Sequence, residues 1–204
     1  MKASLTLVAI AMTVLLTSCS SFKAERVDGA KGDEKALTIT DKWVLKDTEN
    51  AVKDILEQIQ KHKGFQRYLG ETKRKPKIFI MEVQNETSEP YFPIADMNDE
   101  LLNEFSASGE YTIIDNQGRD KILKEVKYQA EGMVDPAQMV QIGKQTGADL
   151  IILGAVRMNP ESRDGRTIKQ YTVNMRMTNL KTSEEVLRVR SKAQKYSEQA
   201  KSGW

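Results

Sequence analysis

The residues that most often carry out catalysis are scarce in this chain. Its 204 residues include one histidine, His62, and one cysteine, Cys19, which excludes a zinc site of these ligands and a catalytic Cys-His pair. His62 stands in a lysine-rich stretch, where a surface position is favoured over a catalytic one. There is no Gly-x-Ser-x-Gly motif and no glycine-rich loop that opens a helix after a strand. The sequence therefore predicts a protein that is not an enzyme and that binds neither a metal ion nor a cofactor.

Charged side chains are numerous, but they form no recognisable site. The acidic pair Asp96 and Asp99 is interpreted as solvated surface, like the pair Glu184 and Glu185. The basic run at 73–77 is interpreted as a solvated helix end, with contact to anionic lipid or glycan as the alternative. Basic and acidic residues number 31 and 29, so the charge balance gives no reason to expect a nucleic-acid partner.

The N-terminus has the pattern of an export signal. Lys2 precedes a mostly apolar run at 5–16, which is shorter than the roughly 20 residues of a membrane-spanning helix. The segment 16–19, Leu-Thr-Ser-Cys, resembles the bacterial lipobox, which implies cleavage before Cys19 and attachment of acyl chains such as palmitate. The alternatives are an ordinary secretory signal or an uncleaved anchor. A single free thiol would be reactive in an exported protein, so we predict a signal peptide at 1–18 and lipidation of Cys19.

Composition divides the mature chain into three parts. Residues 19–39 are rich in Ser, Lys, Glu, Asp, Gly and Ala and are predicted to form a flexible tether behind the lipid. Residues 40–196 carry periodic apolar patterns and are predicted to form one globular domain, followed by a disordered tail at 197–204. The acyl chains would attach the protein to a membrane, and we expect the domain itself to be monomeric.

The apolar patterns predict the element order α-β-α-β-α-α-β-β-β. The predicted helices are one that Asp47 caps and that ends before Pro76, and three at 94–107, 116–131 and 135–147. The predicted strands are 78–83, 111–115, 150–156, 167–178 and 185–192, with a charged turn at 159–165. These elements indicate an α/β protein of the α+β type, with a single mixed, largely antiparallel sheet of four to five strands flanked by helices.

Two groups of side chains are candidates for binding a protein partner. Arg176 lies on the polar face of an alternating strand, and Arg188 and Arg190 share a parity on the next strand. Arginine offers planar hydrogen-bond donors that suit protein interfaces, although a face made soluble by charge explains the same pattern. Tyr91 and Phe92 stand in a polar loop, where they either anchor a contact or fold back into the core.

Four segments together resemble the LpoB-type lipoprotein activators of class A, bifunctional penicillin-binding proteins. The likeness covers about residues 40–195 and is carried by Trp43 with Asp47, by 81–87, by Phe105, Gly109, Tyr111 and Asp115, and by 147–154. It implies a fold like the N-terminal domain of TolB and the periplasmic domain of the curli secretion lipoprotein CsgG. It also implies docking onto a class A penicillin-binding protein and stimulation of glycan synthesis, without a catalytic centre. The tether departs from the family, since it is short and contains no proline.

The remaining expectations concern the anchoring membrane and the alternative functions. Ser20 after the lipidated cysteine resembles the outer-membrane sorting signal of enterobacteria, so we expect an outer-membrane anchor facing the periplasm, with the inner membrane as the alternative. An assembly or secretion lipoprotein of the CsgG type that oligomerises at the outer membrane is the alternative function, but no long alternating membrane hairpins are visible. A lipoprotein that binds a small ligand is a third possibility.

Overall fold

The computed structural model describes residues 27–114 and 147–199. Cys19, the signal peptide and the predicted helices 116–131 and 135–147 lie outside these residues, except for Gly147. The chain divides into two compact units at Gly32 and Asp33, and the domain described here belongs to the second unit. The helices are α1 (Gly29–Ile39), α2 (Leu45–Lys61), α3 (Lys63–Thr72) and α4 (Ile94–Ala107). Among the described residues, no helix combines the length and the hydropathy needed to cross a membrane.

Within the described residues, six strands form one mixed sheet, which confirms the predicted fold class with one strand more than expected. The strands are β1 (Lys77–Ile80), β2 (Gln84–Glu86), β3 (Thr112–Ile113), β4 (Leu150–Arg163), β5 (Arg166–Asn179) and β6 (Glu185–Glu198). The order is β3-β1-β4-β5-β6, and β2 pairs with β4 beyond the end of β1. β1, β2, β3 and β4 pair in parallel, whereas β4, β5 and β6 form an antiparallel meander.

The β4–β5 hairpin is longer than the sequence pattern predicts. Both strands continue through the predicted charged turn, and Arg163 pairs directly with Arg166. Asp164 and Gly165, both with positive φ, make the two-residue turn, and Asp-Gly is a preferred pair for this type of turn. The last strand also continues beyond 192 and into the first two residues of the predicted tail. The sheet therefore carries a long, polar arm beyond its apolar part.

The main core lies between the helices and one face of the sheet. The apolar stripe of α2, including Val52, Ile55 and Ile59, packs with α4 and with the inward side chains of β5 and β6. A smaller cluster around Phe79, Ile151 and Leu180 lies on the opposite face near β1. Both clusters explain why β1 and the start of β4 are apolar on both faces.

A break at His62 divides the single helix that the sequence predicts after Asp47. Its backbone is extended, and its Nδ1 accepts a hydrogen bond of 3.1 Å from the N–H of Gly64 at the start of α3. A Cβ at Gly64 would clash with the carbonyl oxygen of Val186, so glycine permits α3 to approach β6 closely. His62 thus has a structural position as a helix cap.

The segment predicted as tether contains α1. Its eleven residues form a helix without buried side chains, whereas the composition predicted a flexible coil. The helix consists mostly of ordinary helix formers, Ala, Lys, Glu and Leu, which explains why helical structure is compatible with so polar a segment.

Candidate partner-binding surface

The strand register brings the predicted arginines to one face of the sheet. Arg176 on β5 lies directly opposite Arg188 on β6, and Asn174 lies opposite Arg190. Opposed residues of an antiparallel pair share a face, and the alternating residues Tyr171 and Val173 point into the core. We call the polar side chains on the other side of β4–β6 the outer face: Arg157, Thr172, Asn174, Arg176, Arg188, Arg190 and Lys192.

Positive charge on the outer face is only partly neutralised. Glu185 accepts two hydrogen bonds from the Arg188 guanidinium, at 3.0 and 2.6 Å; these bonds, opposed by burial, lower the pKa of the Glu185 carboxyl. Arg157 donates to Glu86 at 2.5 Å. Within the described residues, no carboxylate lies within 4 Å of Arg176, Arg190 or Lys192.

The pairing of Arg176 with Arg188 is unfavourable for the isolated domain. Like charges directly opposite each other on neighbouring strands are destabilising. Glu185 offsets part of this repulsion, because it is hydrogen-bonded to Arg188 and the charge of Arg176 also lowers its pKa. A local arrangement that costs stability without a visible structural benefit is typical of a functional surface. The outer face can therefore attract an acidic protein surface through charges that the described part of the domain leaves unneutralised.

The two aromatic residues of the polar loop take different positions. The side chain of Tyr91 is 96% exposed, whereas Phe92 is 6% exposed. The Phe92 ring packs 5.3 Å from Trp43 and 6.3 Å from Tyr171. Phe92 therefore folds back into the core, which is the second of the two alternatives. Its ring is not accessible to a partner, so Phe92 is no longer a candidate contact. Tyr91 stays a candidate contact.

A cluster of charged residues ties the loop to the core side of the hairpin. Lys169 donates to Glu89 at 2.9 Å and to Asp41 at 3.2 Å. The Tyr171 hydroxyl donates to the other Glu89 oxygen at 2.9 Å, and the Ser197 hydroxyl donates to Asp41 at 2.8 Å. The hydrogen bond from Ser197 lowers the pKa of Asp41. Burial acts in the opposite direction, but the hydrogen bond and the charge of Lys169 add to the lowering. All five groups have partners, which suits a structural role.

A second ion pair fixes the start of α2 on β6. Lys195 lies 2.6 Å from Asp47, and both side chains are 8% exposed. Asp47 also accepts a hydrogen bond of 2.9 Å from the N–H of Val44, so it caps the helix from its third residue and not from the preceding position. This arrangement joins the segment before α2 to the hairpin arm.

Asp149 joins three elements at the other end of the sheet. Its carboxylate accepts two hydrogen bonds from Arg74, at 2.8 and 2.6 Å, and one of 3.0 Å from the N–H of Lys77. Burial raises the pKa of Asp149, but these bonds and the nearby positive charges outweigh it, so the pKa is lowered overall. Arg74 therefore holds the end of α3 against the start of β4. No group of three or more potential metal ligands occurs among the residues that the structure describes.

Comparison with known proteins identifies the family. The family model described as the peptidoglycan-synthase activator LpoB matches residues 47–189, which is more than half of the chain. The chain belongs to the LpoB family. The LpoB C-terminal domain from Salmonella enterica is 11% identical, with a TM-score of 0.51 and coverage of 72% of this chain and 98% of that one. The Escherichia coli LpoB C-terminal domain is 14% identical, with a TM-score of 0.50 and the same coverage. No curated protein matches the sequence.

Several of the residues that carried the LpoB resemblance have structural tasks in the described part of the domain. Trp43 donates a 2.7 Å hydrogen bond to Thr48 and packs on Tyr171. Asn85 accepts hydrogen bonds from the backbone and hydroxyl of Thr87, and the ordered loop presents Glu89 to Lys169. These contacts show that the motif residues named here stabilise the fold. They do not include the arginines of the outer face.

Some residues of the candidate surface were not predicted from the sequence. Arg157 was missed because the predicted strand 150–156 ended just before it, well short of the end of β4 at Arg163. Glu86 was missed because β2 was assigned to a loop. Ala155, Arg157 and Asn159 continue the period of two along one face of the strand, and this pattern could have predicted a longer strand. The partners of Lys169 and Asp149 are distant in sequence, and no local pattern reveals them.

Proposed function

We propose that this chain is a membrane-anchored lipoprotein that regulates peptidoglycan synthesis by binding and activating a class A penicillin-binding protein. The observation that carries the proposal is the LpoB family match over residues 47–189, whose description names an activator of a peptidoglycan synthase. Activation of this kind requires that the lipoprotein bind the active conformation of the synthase more tightly than the inactive one. The protein would act by binding and would need no catalytic residue of its own.

The anchor in this proposal is a lipid on Cys19, placed in the outer membrane with the domain in the periplasm. The lipobox-like sequence before Cys19 supports it, and acyl chains contribute about 0.8 kcal/mol per buried CH₂ group to membrane binding. The tether is short, and α1 takes eleven of its residues at about 1.5 Å each instead of about 3.5 Å in an extended chain. The synthase would therefore have to meet the domain close to the anchoring membrane.

The outer face is the surface that we assign to the synthase. Arg176, Arg190 and Lys192 lack an acidic partner among the described residues and lie side by side on a rigid sheet. Rigid elements lose little conformational entropy on binding, and the free charges would speed association with an acidic surface. Exposed Tyr91 is a second contact in this proposal.

The first test is binding of residues 20–204 to the organism's own class A penicillin-binding proteins, followed by a glycan-polymerisation assay. We expect one synthase to be captured and its polymerisation rate to rise. Capture without stimulation would contradict the activator role, and capture of none would contradict the choice of partner. The family and the fold would stand in either case.

A charge-reversal pair tests the assigned surface. Arg190→Glu with Lys192→Glu should weaken synthase binding at least about tenfold, because attraction turns into repulsion. The matched control, Lys53→Glu with Arg67→Glu, makes the same change in net charge on the exposed helix surface and should leave binding within about twofold. Equal losses in both variants would show that only overall charge matters and would rule out the outer face as the docking site.

A further inference from the structure

The outer edge of β6 is covered along only part of its length. The side-chain amide of Gln58 donates a 2.9 Å hydrogen bond to the carbonyl of Arg190 and accepts one of 3.3 Å from its N–H. Gln58 therefore forms, at this position, the two hydrogen bonds that a neighbouring strand would form. Closer to the start of β6, α3 approaches the carbonyl of Val186 at Gly64. The edge is protected up to Arg190.

Beyond Arg190 the same edge is open. Backbone groups alternate between the two sides of a strand, so the N–H and C=O groups of Lys192, Gln194, Tyr196 and Glu198 point outward like those of Arg190. Among the described strands, β6 pairs only with β5, and no residue within 27–114 or 147–199 hydrogen bonds to the outward backbone groups of 192–198. An open edge of this kind is a ready template for another strand.

We propose that this edge pairs with the same edge of a second copy of the chain, in an antiparallel, two-fold arrangement centred on Lys195, in place of the monomer expected from the sequence. The symmetry places Lys192 opposite Glu198 of the partner copy and Gln194 opposite Tyr196 of the partner copy. All four residues have outward backbone groups, so each opposed pair exchanges two hydrogen bonds, about eight in total. Isologous contacts of this type are the commonest basis of homodimers.

Charge selects this register over its neighbours. Lys192 has no carboxylate within 4 Å among the described residues, and Glu198, which Arg166 contacts at 3.2 Å, keeps a half-exposed side chain. Centring the two-fold axis on Gln194 places Glu198 opposite Arg190, where Gln58 occupies the edge. Centring it on Tyr196 leaves Lys192 without its opposite charge. Only the register centred on Lys195 pairs the two charges at both ends.

Exposed apolar side chains accompany the open edge. Asp41 and Asp47 are bound to Ser197 and Lys195, which places the segment 39–47 beside this part of β6. Within it, Ile39 and Leu45 are 82% and 56% exposed, and Tyr196 on the strand is 58% exposed. Burial of such groups against a second copy would add a hydrophobic contribution to the backbone pairing.

Sedimentation velocity over a wide concentration range tests the proposal on residues 20–204, which keep the whole compact unit from Asp33 onward. We expect a monomer–dimer equilibrium. Gln194→Pro removes an outward N–H without removing a bond to β5 and should abolish the dimer, whereas Gln194→Ala should retain it. Glu198→Lys should weaken dimerisation roughly tenfold, and adding Lys192→Glu in the same chain should restore it. Thermal melts confirm that each variant is folded.

Photo-crosslinking from position 196 in the lipidated protein extends the test to the membrane, where anchoring raises the local concentration. A self-crosslink that Gln194→Pro removes would support the proposal. A monomer at every concentration with no self-crosslink would overturn it, as would a dimer that Gln194→Pro leaves unchanged. If the chain stays monomeric while Gln194→Pro abolishes synthase binding, the edge accepts a strand of the synthase and not of a second copy. Because self-association needs no synthase, this result is independent of the proposed function.

Discussion

Lys195 and Arg190 belong to the same strand but point to opposite faces of the sheet. Lys195, on the core face, is buried and lies 2.6 Å from Asp47. Arg190, on the outer face, is exposed and has no carboxylate within 4 Å among the described residues. Lys169 and Arg176 on β5 differ in the same way, since Lys169 forms ion pairs with two carboxylates and Arg176 has no carboxylate within 4 Å in the described part of the chain. A buried charge must be neutralised to be tolerated, whereas a solvated charge can be kept available for a partner.

The largest effect on stability should come from removing a cation on the core face. Lys195→Met keeps most of the side-chain volume but leaves the buried Asp47 carboxylate without its ion pair, which should lower the free energy of unfolding by about 3–5 kcal/mol. Urea denaturation measures this change. Combining Lys195→Met with Asp47→Asn removes both charges and should recover part of the loss. If Lys195→Met alone is as stable as the parent, the ion pair is solvated, and charges on the core face do not need to be neutralised.

The ion pair of Asp149 should come next, and it has a pH signature. Because the pKa of Asp149 is lowered in the folded chain, its contribution is present above about pH 4 and is lost as the pH falls through the folded-state pKa. Asp149→Asn should cost about 1–3 kcal/mol at neutral pH, since it weakens hydrogen bonds to Arg74. The same variant should reduce the acid dependence of unfolding. Parallel pH dependences for both proteins would mean that Asp149 is not the responsible group.

The architecture was accessible from the sequence because it depends on local periodicity. The stripe of α2, the alternation of β5 and the double-sided apolar strands each follow from burial on one or two faces, and the family resemblance places them in order. Strand ends were less accessible. The sequence predicted a charged turn longer than the two residues Asp164 and Gly165. Arg163 and Arg166 belong to the strands, but polar residues on an exposed hairpin have the same pattern as residues of a loop.

The candidate surface was accessible only in part. The alternation identified Arg176, but whether Arg188 and Arg190 share its face depends on the β5–β6 register, which includes a shift at Met177 and Thr178. A shift of one residue moves every side chain to the other face. The opposite positions of Tyr91 and Phe92 likewise depend on Trp43, which is distant in sequence. Contacts between residues that are distant in sequence cannot be predicted from a local sequence pattern.

On the outer face, removing a cation should have the opposite sign. Arg176→Gln removes the repulsion with the directly opposed Arg188 and should raise the free energy of unfolding by about 0.2–1 kcal/mol. The same variant should weaken binding to the synthase of the proposed function. Urea denaturation and a binding titration on one protein sample measure the two effects. A loss of stability would show that Arg176 has a structural task like that of Lys169 and would end the distinction between the faces.

Tyr91 should have the smallest effect on stability and so gives the cleanest view of binding. Its side chain is almost fully exposed, so Tyr91→Ser should change the free energy of unfolding by no more than about 0.5 kcal/mol. The neighbouring Phe92→Ala, which empties a position between Trp43 and Tyr171, should cost about 3–5 kcal/mol and serves as the contrast. If Tyr91 contacts the synthase, Tyr91→Ser should weaken binding with the melting temperature unchanged. Unchanged binding would confine the docking surface to the arginines of β5 and β6, since the loop would then contribute only through the buried neighbour.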